Sequence, residues 1–77
     1  MSQNAPLLIP TTISRVVLTL TRGAAIVVEV IEEKSANGCV VHHVTKRSKW
    51  GGPTVLIRSY ISGKAWAFDV ARAAVQS

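Results

Sequence analysis

Apolar and polar positions alternate along most of this chain in the two-residue rhythm of β-strands. Residues 13–21 (ISRVVLTLT) are rich in β-branched side chains, which pack well on a pleated surface, and Arg22-Gly23 follows as a short turn. Residues 24–31 (AAIVVEVI) are almost continuously apolar, the pattern of a central strand covered on both faces. A helix over 24–35 is the competing reading, with Val27, Val30, Ile31 and Lys34 on one face and Asn37-Gly38 as its C-cap. The β-branched run Ile26, Val27, Val28, Val30 and Ile31 favours the strand, because each of these residues loses side-chain freedom in a helix.

Asn37-Gly38 is a strong hairpin signal, since both residues tolerate positive φ. A two-residue loop there sets Glu33 opposite His42, Glu32 opposite His43, Glu29 opposite Lys46 and Ile31 opposite Val44. Opposite charges facing each other across strands contribute about 0.2–1 kcal/mol per pair. Ser62-Gly63 predicts a second turn, between strands at 54–61 and 64–70, pairing Val55 with Val70, Ile57 with Phe68 and Ser59 with Trp66. Residues 71–77 have the composition of a short terminal helix.

The pattern therefore predicts a mostly β fold: an antiparallel meander of four to five strands with a short C-terminal helix. Short twisted strands with one buried face tend to curl into a small SH3-like or OB-like barrel, which hides their edges. An α+β fold with a helix at 24–35 is the alternative. At 77 residues the chain makes one small β domain over 12–77, preceded by a polar, proline-punctuated segment at 1–11 that reads as extended or flexible.

The composition adds three constraints. A hydrophobic share of 48% is high for so short a chain and predicts some self-association, as a homodimer. Cys39 is the sole cysteine, so no internal disulfide forms, which suits a reducing compartment. The longest apolar run, 24–28, is too short to span a bilayer, and no secretory leader pattern opens the chain. These features read as cytoplasmic, without membrane attachment.

Charge supplies the functional hint. Six cations (Lys34, Lys46, Arg47, Lys49, Arg58, Lys64) fall between positions 34 and 64 with no carboxylate among them. The four acids, Glu29, Glu32, Glu33 and Asp69, lie outside that stretch, and the formal net charge is +5. A one-signed field of this kind attracts polyanions or acidic protein surfaces. Lys46, Arg47 and Lys49 can neutralise phosphates, and Trp50 in the same loop offers a flat surface for an unpaired base. Arg58 and Tyr60 add a second cation and aromatic on the polar face of the predicted second hairpin. The expected activity is non-enzymatic nucleic-acid binding, of DNA or RNA, by phosphate neutralisation and stacking with little base readout. The rival is a protein-binding inhibitor or accessory protein, of a size mobile genetic elements often encode, docking on an acidic partner surface.

Catalytic readings are weak. His42 and His43 are adjacent in a strand and so point to opposite faces. Cys39 and His42 also fall on opposite faces, and Lys49-Trp50-Gly51-Gly52-Pro53 lacks the spacing and following helix of a phosphate-binding loop. No cysteine and histidine spacing resembles a zinc signature, so neither metal nor cofactor is expected.

Overall fold

The computed structural model describes residues 12–77, so the expected N-terminal segment 1–11 lies outside the described residues. Four strands, β1 (Thr12–Arg22), β2 (Ile26–Ser35), β3 (Val40–Ser48) and β4 (Val55–Ile61), precede one helix, α1 (Lys64–Gln76). The strands pair antiparallel in the order β1-β2-β3-β4. The meander is therefore present and the helix alternative at 24–35 is not; the β-branched run forms β2.

The sheet does not close into a barrel. β1 and β4 are its two edges, and α1 lies across one face, contacting all four strands. Val28, Val30, Val44 and Ile61 from the sheet meet Ala67, Ala71, Ala74 and Val75 from α1 in a buried cluster, flanked by Leu18, Leu20, Ile26 and Phe68. Covering that face with a helix removes the gain from curling. Fully burying one such aliphatic side chain contributes about 1.5–3 kcal/mol, and the three facing alanines let the helix approach closely.

The predicted fifth strand at 64–70 is the first half of α1. Its alternating Trp66, Phe68 and Val70 imitate a strand, but Ala67, Ala71, Ala74 and Val75 recur at helical spacing and are the buried set. Alanine is the strongest helix former, and the chain places it at 65, 67, 71, 73 and 74. Asp69 and Arg72 add an (i, i+3) pair at 2.8 Å. Ser62-Gly63 is accordingly a strand-to-helix junction, with Gly63 as an N-cap that offers no side-chain acceptor. At the other end, Arg22 donates to the Gln76 carbonyl (3.3 Å) and Lys46 to the Ser77 carbonyl (3.0 Å), two cations where the helix dipole is negative.

The β2–β3 hairpin forms where expected, one residue out of the expected register. Its loop has three residues, Ala36-Asn37-Gly38: Ser35 N–H donates to the Cys39 carbonyl (2.9 Å) and Gly38 N–H to the Ser35 carbonyl (3.0 Å). Gly38 takes φ 91°, and the Asn37 side chain accepts the Cys39 N–H at 3.1 Å. Asn-Gly serves this bulged three-residue loop as readily as the two-residue one. Glu32 therefore faces His42, Ile31 faces His43, Val30 faces Val44 and Val28 faces Lys46. The slip places Val28, Val30 and Val44 together beneath α1. A second irregularity, between Val16 and Leu18, aligns Leu18 and Leu20 with Val30 and Val28 on one side and Arg15 with Glu32 on the other.

Candidate nucleic-acid interface

The six residues singled out by charge and aromaticity divide between two faces and one end of the sheet. Strand alternation turns Lys46 towards α1, where its ammonium is held by Ser77. Arg47 points to the opposite face, with Nε 3.6 Å from Glu29 Oε1. Both cations are thus engaged within the molecule.

Lys49 and Trp50 lie in the turn that leaves β3. Lys49 N–H donates to the Ala25 carbonyl (2.6 Å), tying this turn to the β1–β2 turn, and Trp50 N–H donates to Ser48 Oγ (3.2 Å). Gly51 and Gly52 follow at φ 118° and 94°, conformations that side-chain-bearing residues rarely adopt. The main chain is fixed while the indole of Trp50 is left 76% exposed.

β4 is bulged twice against β3, which breaks the simple alternation of its side chains. Arg58 and Tyr60 consequently do not share a face. Arg58 lies on the helix side, its guanidinium 4.7 Å from the centre of the Trp66 ring. Tyr60 has left-handed backbone (φ 57°) and turns its ring to the other side, edge-on to His43 at 5.2 Å. Tyr60 is 75% exposed. Trp66, which the sequence pattern placed inside a hairpin, is 47% exposed on the rim of α1. Reading 64–76 at helical spacing would have put it there, one position away from the buried Ala67.

Arg58 and Trp66 therefore stand on the helix side of β4 and Tyr60 on its other side, while Lys49 and Trp50 lie in the turn that leads from β3 to β4. Elsewhere the charges are paired. Arg15, His42 and Lys64 converge on Glu32 at 3.1, 3.4 and 3.7 Å, and His43 Nε2 lies 3.0 Å from Glu33. Partial burial opposes charge on Glu32, but hydrogen bonds from Arg15 and His42, with the charges of Arg15 and Lys64, outweigh it and hold the carboxyl below the ordinary value. Among the described residues, Lys34, Lys49 and Arg58 are the cations that meet neither a carboxylate nor a carbonyl.

The two histidines occupy different settings. His42 is 2% exposed, and its ring nitrogens face the Ile61 carbonyl (3.3 Å) and Glu32 (3.4 Å). His43 links Ser59 to Glu33, the bond order of an acyl-transfer triad. The same Nδ1 also accepts the Tyr60 N–H at 3.4 Å, and the Tyr60 ring packs on the imidazole, so the network ties β4 to β3. A cleft of about 310 Å³ lies elsewhere, among Ile13, Arg15, Glu32 and Lys34. Among the described residues no three His, Cys, Asp or Glu side chains gather as a metal site, and no helix is long and apolar enough to cross a membrane.

Compared with protein-family models, with curated proteins and with solved structures, the chain matches none.

Proposed function

We propose that this protein is a non-enzymatic nucleic-acid-binding domain whose working surface is the border of β4. One observation carries the reading: of the three uncompensated cations, Lys49 adjoins the exposed Trp50 in the turn before β4 and Arg58 packs on the half-exposed Trp66, with the exposed Tyr60 on the opposite side of the same strand. Cations without carboxylate partners are free to neutralise phosphates, and exposed rings stack on bases without reading their identity. The surface is smaller than the net charge of +5 suggests, because Lys46 and Arg47 serve the fold.

The test is fluorescence anisotropy with a labelled mixed-sequence oligonucleotide at low salt. The wild type is expected to bind and the double variant Lys49→Ala/Arg58→Gln to lose at least tenfold in affinity. Equal binding by that variant, or no binding to DNA or RNA by the wild type, overturns the reading.

A second reading draws on the same strand. Val55, Leu56 and Ile57 are 54%, 58% and 40% exposed on the β4 edge, an apolar stretch that suits an acidic protein partner or a second copy of the chain. Size-exclusion chromatography with light scattering reads out the second copy directly.

A further inference from the structure

We infer that the β4 border takes single-stranded rather than duplex nucleic acid, and holds it mainly by stacking on Trp50, Tyr60 and Trp66. This rests on the nucleic-acid reading above and narrows it to a substrate class and a balance of forces.

Three observations carry it. The first is shape. α1 buries Ala67, Ala71, Ala74 and Val75 against the sheet, so its apolar side is occupied, and its outer surface carries Asp69 and Arg72 paired to each other. A helix so placed offers no set of free cations to a duplex groove.

The second is the distribution of rings. Trp50 lies in the turn before β4, Tyr60 near the strand's end on the face away from α1, and Trp66 beside Arg58 on the helix side, so the rings flank the open β4 edge of the sheet from both faces instead of gathering at one point. Seven strand residues extend about 23 Å. That is the length of about seven stacked nucleotides, at about 3.4 Å each along one strand. Bases can reach such rings only when they are unpaired. Arg58 also packs over the indole of Trp66 while that residue stays 47% exposed.

The third is the shortage of free charge. Lys49 and Arg58 are the two cations on this border that meet neither a carboxylate nor a carbonyl among the described residues. Each neutralised phosphate on a single strand contributes about −0.7 to the slope of log K against log salt. Two contacts give a slope of about −1.4. Had Lys46 and Arg47 also been free, four contacts would give about −2.8. Shallow salt dependence combined with strong dependence on the rings is the signature of this surface.

The experiment is titration of the intact protein with a labelled ten-nucleotide single strand and with its duplex, from 20 to 300 mM salt, followed by anisotropy and by the fluorescence of the two tryptophans. Single-strand affinity at least tenfold above duplex affinity, tryptophan quenching and a slope of about −1.4 are expected. Trp50→Ala and Tyr60→Asn are each expected to weaken binding about 5- to 150-fold with the slope unchanged. Asparagine is chosen at position 60 because it tolerates left-handed backbone, so the fold survives; circular dichroism checks that it does. Duplex binding as tight as single-strand binding, or a slope of −2.8 or steeper, overturns this inference and leaves the nucleic-acid reading standing. Binding to neither form overturns both.

Discussion

Glu32 collects one partner from each of three other elements: Arg15 from β1, His42 from β3 and Lys64 from α1. Its carboxyl is held below the ordinary value of 4.5, so folding favours the ionised form. The stability this contributes is complete above pH 4.5 and drains away as the pH falls through the lowered value. Glu32→Gln is expected to lower the urea midpoint at neutral pH and to flatten its fall below pH 4.5 relative to wild type; two parallel acid limbs would contradict this. The residue pairs themselves were half legible. Charge complementarity across the Asn37-Gly38 turn identified Glu32, Glu33, His42 and His43 as neighbours. It could not assign them, because the same dipeptide closes loops of two or three residues and the choice shifts every pair by one. The buried valines decide: only the observed register brings Val28, Val30 and Val44 to one face.

At the level of elements, the strands were readable and the last third of the chain was not. β2 follows from its β-branched run, whereas 64–70 satisfies both periods, and seven residues are too few to separate them. Extending the window to Gln76 brings in Ala71, Ala74 and Val75 and settles the period at 3.6. The alanines are also the packing solution, since the helix has little room above the sheet. Ala71→Leu places three additional carbons where the native side chain is fully buried. Overpacking of this kind costs about 1–3 kcal/mol, a fall in midpoint of about 4–8 °C per kcal/mol in a domain of this size. Calorimetry on this variant beside Ala73→Leu, at an exposed position of the same helix, separates crowding from propensity. A change confined to Ala71→Leu is expected.

For the molecule as a whole, nine basic residues and four acids suggested a broad electropositive surface. The fold subdivides it. Cross-strand carboxylates take Arg15 and Arg47, helix-end carbonyls take Arg22 and Lys46, and the border of β4 keeps Lys49 and Arg58. Composition states the supply of charge and says nothing of its internal use, which is why the candidate site was legible as residue types but not as a surface. The same economy applies to stability. One thin layer between sheet and helix supports the domain, and Ile61 is the largest of its fully buried side chains. Ile61→Ala is expected to cost about 2–5 kcal/mol, out of about 5–15 kcal/mol typical for a folded domain. Urea denaturation should show a variant near the limit of folding at 37 °C; a loss below about 1 kcal/mol would mean the layer is not the support described here.

The hairpins of the sheet join neighbours in sequence, so each can close as soon as its two strands exist. Among the described residues the cover of their common apolar face is α1, which follows all four strands in the chain. During synthesis the valines of β2 and β3 stay wet while 64–76 are still inside the ribosome, and the domain completes only when Val75 has emerged. Order of translation, and not only sequence, thus sets the interval in which this small sheet is open to the wrong partner.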